Sequence, residues 1–302
     1  MIDRVTAFPG HTQGTDAGDF SPCMALERKV GVFMPPAPKE HLTALHAFAE
    51  GLAQCGVDHF VTGLDYRDCD VAVVFGIRKQ AVPASWARGA VLAAHAARDR
   101  RALILETGFI RRDEYFHAGF DGLNGRADFR NAAMPDDRWL PLGLALEPWR
   151  ETGEHILVCG QVPWDASVQH HDHLGWCRDV IAELRRLTGR PIRFRPHPAV
   201  AGRVDYGIDA TLSNAPLPTD LDGAWAVVTF NSNTAVEAAI AGIPVFALDA
   251  GSMALPVANT TLAAIEQPRT PDRAQWLADL AYAQWNAAEL AAGETWRHLA
   301  AL

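Results

Sequence analysis

The chain has 302 residues, of which 49% are apolar and 21% are charged, and its net charge is −9. This length lies beyond the size at which one hydrophobic core usually keeps growing, so two domains are expected. The composition is typical of a folded globular protein, and the negative charge argues against a general nucleic-acid coat protein.

Signals for targeting or disulfide bonding are few. No run approaches the ~18 apolar residues that span a membrane, and residues 1–16 lack the pattern of a secretory signal. The five cysteines, at positions 23, 55, 69, 159 and 177, are scattered and form no CxxC pair. We therefore expect reduced thiols and a cytoplasmic protein.

Short apolar runs alternate with helical segments in the first half. Predicted strands cover residues 29–34, 59–62, 71–75 and 102–105, and predicted helices cover residues 39–54 and 84–101. This alternation predicts a parallel, doubly wound sheet. Residues 107–141 then break the pattern with Gly, Asp, Asn, Arg and aromatic residues, and we interpret them as a long functional loop.

A second alternating series follows. Predicted strands cover residues 155–159, 192–195, 226–230 and 243–248, predicted helices cover 173–187 and 234–241, and a helical tail covers 271–302. We expect an N-terminal domain (1–147), a C-terminal domain (153–283) and a C-terminal helix (284–302). Two Rossmann-like α/β domains facing across a cleft form a GT-B fold, with ligands at the carboxyl ends of the strands.

The stretch 224–249 is the strongest candidate for a ligand site. Polar residues Asn231, Ser232, Asn233 and Thr234 separate a buried strand from a helix, whose first amides would favour a phosphate. Glu237, one turn later, is placed to reach a ribose hydroxyl. The same composition also fits an ordinary βαβ unit in which the polar residues only cap the helix.

Other polar residues follow predicted strands, and each has a structural alternative. Arg195 and His197 can donate to phosphate oxygens, and Glu106 can serve as a base, a nucleophile or a hydrogen-bond acceptor. Gln161 to Ser167 can form a turn against a nucleotide. For His197 the alternative is a structural histidine, for Glu106 a capping glutamate, and for the turn an ordinary βα loop. The cluster His170 to His173 lacks a second set of ligands, so we expect no metal site.

Four short motifs occur in order along the chain. They are Glu106-Thr107-Gly108-Phe109-Ile110-Arg111, Gly160-Gln161 with Asp165-Ala166-Ser167, Arg195-Pro196-His197-Pro198, and Asn231–Glu237 with Gly242-Ile243-Pro244. Over about residues 104–250 the ordered set resembles the capsule-polysaccharide glycosyltransferases, the Kdo-transferase-like GT-B enzymes.

The resemblance implies a nucleotide-sugar donor, and we expect neither a metal nor another cofactor. Glu106 and Arg111 would face the reacting sugar as catalytic residues. Donor-binding residues would be Gln161, Ser167, Arg195, His197, Asn231, Ser232, Asn233, Thr234 and Glu237. On the acceptor side we expect Arg112, Asn124 and Arg126 of the long loop.

This chain departs from the family pattern at two positions. The family's acidic residue after the glutamate is Thr107 here, and its basic residue before Pro-His-Pro is Arg195. The first change weakens the expectation of Kdo as donor sugar and of a nucleophile at that position. Residues 122–129 resemble phage-encoded relatives, which implies a hydroxymethylated pyrimidine in DNA as a possible acceptor, its phosphates contacted by arginines.

The expected function is therefore transfer of a sugar from a nucleotide sugar to a hydroxyl group. The acceptor would be a surface glycan or a small hydroxyl compound, which we favour, or a modified base in phage DNA. Two alternatives are a sugar-nucleotide epimerase of the same fold, which needs no acceptor, and a nucleotide- or glycan-binding protein without catalysis.

Overall fold

A computed structural model of the chain describes residues 28–63, 65–79 and 86–300. The start of the helix predicted at residue 84 lies outside these residues. Elsewhere the predicted α/β class is confirmed, because two separate sheets are each covered by helices. The predicted domain boundaries at residues 147 and 153 stay a prediction.

The first sheet has six strands. They are β1 (Val30–Phe33), β2 (His59–Thr62), β3 (Val71–Phe75), β4 (Ala102–Thr107), β5 (Tyr115–Phe120) and β11 (Gln284–Asn286), in the order β11-β5-β4-β3-β1-β2. The first four are mutually parallel, while β5 is antiparallel to both β4 and β11. Helices α1 (Lys39–Gln54) and α2 (Trp86–Ala96) connect the parallel strands.

The second sheet has five strands, and all of its pairings are parallel. They are β6 (His155–Cys159), β7 (Ile192–Arg195), β8 (Thr211–Leu212), β9 (Ala224–Thr229) and β10 (Val245–Ala247), in the order β10-β9-β6-β7-β8. The accompanying helices are α3 (His173–Leu187), α4 (Leu217–Leu221) and α5 (Thr234–Ile240). Every residue of β6 is buried, as expected for a strand covered on both faces.

Two predicted segments need correction. Residues 107–141 are not one continuous loop, because β5 lies within them and pairs with β4. Residues 284–302 are not one helix, because β11 precedes α7 (Ala287–Ala291) and α8 (Glu294–Ala300). β5 pairs with the neighbouring β4 and with β11, which is distant in sequence. A three-residue strand such as β11 has too little periodicity to detect.

The C-terminal segment after α6 (Ala274–Ala281) completes the core of the first sheet. Trp285 and Trp296 are buried in the cluster beneath α1, and the Trp296 ring packs edge-on against Phe48 at 6.3 Å between centroids. The helices α1 and α7 approach so closely that a Cβ on Gly51 would collide with the Leu290 carbonyl oxygen. The chain therefore returns to its first domain before it ends.

The buried cysteines of the described residues are free. Burial raises the pKa of the Cys69 thiol to about 11 and those of Cys159 and Cys177 to about 12. These groups therefore stay protonated near neutral pH and pack as small apolar side chains.

Replacing Trp296 by Ala tests the role of the C-terminal segment. Because the ring is only 8% exposed, we expect the free energy of unfolding to fall by about 3 kcal/mol, measured by urea denaturation. Trp164→Ala is the matched control, since Trp164 is 44% exposed and should leave stability nearly unchanged. Equal losses from the two variants would contradict this packing.

Candidate functional site

A cleft of about 270 Å³ lies between the carboxyl edges of the two sheets. Residues at the ends of β3 and β4 form one wall, and segments after β6, β7 and β9 form the other. Parallel strands bring their last residues to one edge, which explains why distant motifs meet here. Most of the predicted site residues line the cleft: Glu106, Arg112, Asn124, Gln161, Ser167, His197, Asn231, Ser232 and Asn233.

Two buried amide side chains fix the second-domain wall. Gln161 Nε2 donates to Asn231 Oδ1 at 2.8 Å, and the Asn231 backbone N–H donates back to Gln161 Oε1 at 3.1 Å. The Gln161 backbone is held by His173 Nε2, 2.8 Å from its nitrogen, and by the Tyr206 hydroxyl, 2.9 Å from its oxygen. The two amides therefore shape the wall, since much of their bonding capacity is used within the protein.

Asp249 extends this network to the first domain. One carboxylate oxygen accepts from Asn231 Nδ2 at 2.7 Å, and Arg126 binds both oxygens at 2.8 and 2.6 Å. Burial alone would raise the pKa of Asp249, but the bonds from Arg126, Asn231 and the Gly251 amide lower it to about 2. Arg126, predicted on the acceptor side, thus joins the two domains and does not line the cleft.

The start of α5 differs from the expectation of unpaired amides. The Thr234 N–H donates to Ser232 Oγ at 3.3 Å, and the three following amides donate to the Ser232 or Asn233 carbonyl. Thr234 itself does not line the cleft. Because the amides of residues 234–237 already have partners, an anion bound here would be contacted by side chains and by backbone groups that precede Thr234.

Asn233 reaches from the second domain to the first. Its Nδ2 donates to the Phe109 carbonyl at 3.0 Å and lies 3.3 Å from an oxygen of Glu237, which is exposed outside the cleft lining. Among the residues that the structure describes, the buried Asn233 Oδ1 has no hydrogen-bond partner. Asn233 therefore connects the turn before α5 to the loop that follows β4.

His197 is held as a hydrogen-bond donor towards the cleft. Its Nδ1 accepts from the Ala199 amide at 3.2 Å, which places the proton of the neutral ring on Nε2. Burial lowers the pKa of His197, with Asp165 opposing this shift and Arg112 and Arg195 adding to it. The neutral ring can thus donate one hydrogen bond to a phosphate oxygen.

Glu106 stands on the opposite wall near the end of β4. Its Oε1 accepts from the Thr107 amide at 3.0 Å and lies 3.3 Å from the Thr107 hydroxyl. The Thr107 hydroxyl therefore helps to hold the Glu106 carboxylate. A half-buried carboxylate at this edge can accept the proton of a substrate hydroxyl.

The cleft contains two basic groups from the first domain. Lys79, which sequence reasoning missed, forms a 2.8 Å ion pair with Asp165 of the second domain, and this bond lowers the pKa of Asp165 although burial opposes it. Arg112 lines the cleft and, within the described part of the chain, has no hydrogen-bond or ion-pair partner. The signal for Lys79 was its position just after a buried strand.

Two predicted arginines bind protein groups instead. Arg195 donates to the fully buried Asp220 at 2.7 Å and also bonds the Ala215 carbonyl. Arg111 donates to the Leu142 carbonyl at 2.7 Å. Neither residue lines the cleft. Both arginines therefore bind groups of the fold, and their predicted site roles stay predictions.

Gln284 is a further site residue that sequence reasoning missed. This fully buried side chain of β11 accepts from the Phe109 and Ile110 amides at 2.8 and 2.9 Å and donates to the Ile110 carbonyl at 3.2 Å. It holds the loop that follows Glu106. Nothing in the local pattern of the predicted helical tail identifies it.

The histidine cluster of α3 does not converge on one point. His173 points inward to Gln161, while His170 lies 3.6 Å from Asp249. Within the described ranges, no group of three or more His, Cys, Asp or Glu side chains is arranged to hold a metal, and no helix is long and apolar enough to cross a membrane.

Solved structures resemble this chain, whereas no protein-family model and no curated sequence matches it. The β-Kdo 2,7 transferase of KpsC from Thermosulfurimonas dismutans superposes with a TM-score of 0.52, at 16% identity, over 86% of this chain and 97% of its own. The β-Kdo 2,4 transferase of KpsC from the same organism gives 0.53, at 14% identity, over 84% and 89%. At such identities the similarity is one of fold. The chain has the predicted GT-B fold.

Replacing Arg195 by Met separates its two possible roles. The change leaves the buried Asp220 carboxylate with Ser213 and the more distant Arg193, at 3.6 Å, so we expect a loss of about 3 kcal/mol in unfolding free energy. Arg193→Met, the control, should cost much less. If Arg195→Met kept its stability but bound the nucleotide more weakly, Arg195 would instead be a ligand-binding residue.

Proposed function

We propose that the chain is a glycosyltransferase that moves a sugar from a nucleotide-sugar donor to a hydroxyl acceptor. The observation that carries this proposal is the meeting of the ordered motifs in one cleft, with Glu106 on the wall opposite His197. The GT-B fold supports the same reading.

The second-domain wall suits the nucleotide. Ser167, Ser232 and Asn233 offer hydroxyl and amide groups to a ribose or a phosphate, while His197 Nε2 donates a hydrogen bond. Arg112 adds a positive charge from the facing wall of the cleft that His197 also lines, and this charge adds to the lowering of the pKa of His197 by burial. Together they would neutralise charge on the departing phosphate.

Glu106 is our candidate for the base. In the proposed reaction, the acceptor oxygen bonds to the anomeric carbon while its proton passes to Glu106. The bond from that carbon to the phosphate oxygen breaks, and the nucleotide leaves with the electron pair. Holding both substrates in one cleft would supply much of the acceleration.

The charges of the first domain favour a glycan or a small hydroxyl compound over DNA. Arg100 pairs with Asp68 at 2.9 Å, and Arg101 pairs with Asp121 and Asp128, both at 2.7 Å. We expected arginines to contact DNA phosphates, yet neighbouring carboxylates already balance the charges of these two. Binding a polyanion there would require those pairs to open.

A thermal-shift screen against UDP, CMP, GDP and TDP and their sugars tests the donor site. One nucleotide should stabilise the protein by ~2.7 kcal/mol at about a hundred times its dissociation constant. His197→Ala should weaken binding of that nucleotide roughly tenfold, because one hydrogen bond to a charged phosphate is lost. If none of the nucleotides raised the melting temperature, the result would argue for a binding protein with a different ligand.

Glu106→Gln tests the proposed base. Transfer to an acceptor should fall by roughly 10²–10⁴-fold, while the affinity for the nucleotide found in the screen should stay within about twofold, since Glu106 lies on the other wall. Product formation by mass spectrometry gives the rate. Full activity in this variant would remove Glu106 from the mechanism, and turnover of the donor without any acceptor would favour the epimerase.

A further inference from the structure

A turn of the first domain contacts the second domain at the border of the cleft. The turn, residues 122–126, follows β5 and meets the segment after β10. The Gly125 amide donates to the Gly251 carbonyl at 3.0 Å. A Cβ on Gly125 would stand 2.8 Å from the carbonyl oxygens of Ala250 and Ser252, so the two backbones meet without space for a side chain.

A second contact holds the same turn. Arg126 binds both carboxylate oxygens of Asp249 at 2.8 and 2.6 Å, and Asp249 also accepts from Asn231 on the second-domain wall at 2.7 Å. Two neighbouring residues of the turn are thus bound to the second domain, one through its backbone and one through its side chain. The position of the preceding residue, Asn124, is therefore fixed relative to that wall.

Asn124 is the polar residue that this turn brings to the cleft. Its backbone is left-handed, with a φ of 52°, a conformation that asparagine adopts more readily than most residues with a side chain. Its side-chain amide has no hydrogen-bond partner within the described part of the chain. A half-buried group that can both donate and accept hydrogen bonds is thus available at the cleft.

The surroundings of Asn124 differ from those expected for a phosphate. Leu123 precedes it in the turn, Met253 follows the contacted segment of the second domain, and both line the cleft. All three residues are uncharged, whereas Arg112 and His197 supply the groups that suit a phosphate. Apolar side chains combined with an amide match a sugar ring, which has C–H groups and hydroxyl groups but no charge.

The first-domain origin of Asn124 also favours the sugar over the nucleotide. In the proposed reaction the nucleotide lies on the second-domain wall, while Glu106 of the first domain meets the acceptor beside the anomeric carbon. The transferred sugar therefore lies between the two walls. Asn124 belongs to the same domain as Glu106, but its neighbours bind the second domain, so its position suits contact with that sugar.

We propose that Asn124 binds a hydroxyl group of the transferred sugar and that the contact of Gly125 with the second domain holds it in place. This assigns to the donor a residue that the sequence predicts on the acceptor side. The inference rests on the proposed function, because it takes a nucleotide sugar as the ligand. Asn124 would help to select the sugar, since a hydroxyl group that is missing or inverted would leave the amide unpaired.

Calorimetric titrations of the full chain test this inference. The probes are UDP-glucose, GDP-mannose, TDP-glucose and CMP-Kdo, each compared with its free nucleotide. For the conjugate that binds most tightly, Asn124→Gly should raise the Kd roughly three- to tenfold, because one hydrogen bond is lost. The Kd of the free nucleotide should stay within about twofold, because it lacks the sugar. Glycine suits the left-handed backbone, so this variant should fold.

Two further variants complete the experiment. Asp99→Gly is the matched control, because Asp99 has the same φ of 52° but does not line the cleft. It should leave both dissociation constants unchanged. Gly125→Ala keeps the Asn124 side chain but introduces the colliding Cβ. It should weaken nucleotide-sugar binding as Asn124→Gly does, because the turn must move away from the second domain.

The possible outcomes separate this inference from the proposed function. If Asn124→Gly left both dissociation constants unchanged, or raised both by the same factor, Asn124 would not bind the sugar, although nucleotide binding would still support the donor site. An unchanged nucleotide-sugar affinity in folded Gly125→Ala protein would overturn the positioning by the turn. If the unaltered chain bound neither the conjugates nor the nucleotides, both proposals would be wrong.

Discussion

One buried side chain, Gln284, connects the three parts of the molecule on which the site depends. It belongs to the last strand of the first sheet, yet its hydrogen bonds hold Phe109 and Ile110, in the loop that follows Glu106. The Phe109 carbonyl in turn accepts from Asn233 on the donor wall. The C-terminal segment, the proposed base and the donor turn are therefore linked through a few backbone groups, which explains why the chain returns to its first domain.

The two domains also meet through charge on either side of this link. Lys79 binds Asp165, and Arg126 binds Asp249, so the first domain gives two cations to carboxylates of the second. Such pairs are partly exposed, and each contributes modestly to stability. Their value here is geometric: they set the width of the cleft, and they leave Arg112 and His197 to face an anionic ligand in a protein whose net charge is −9.

The sequence predicted the parallel core well, because buried strands and helices longer than ten residues have clear periodicity. It also predicted that Glu106, His197 and Asn231 lie at one edge of the sheets, since residues after parallel strands share that edge. It missed β5 and β11, whose antiparallel pairing joins segments that lie far apart in the sequence. Gln284 was missed for a related reason, because its partners are backbone groups that only the tertiary fold brings near.

The hydrogen bonds finally divide the motif residues into two kinds. Gln161 and Asn231 are buried and bond to each other, so a substitution there would change the shape of the wall before it changed any contact. Ser232 and His197 are more exposed, and His197 retains its Nε2 for a ligand. A short motif combines both kinds at adjacent positions. Recognition of a donor should therefore depend on few side chains, while the motif as a whole is needed to hold them in place.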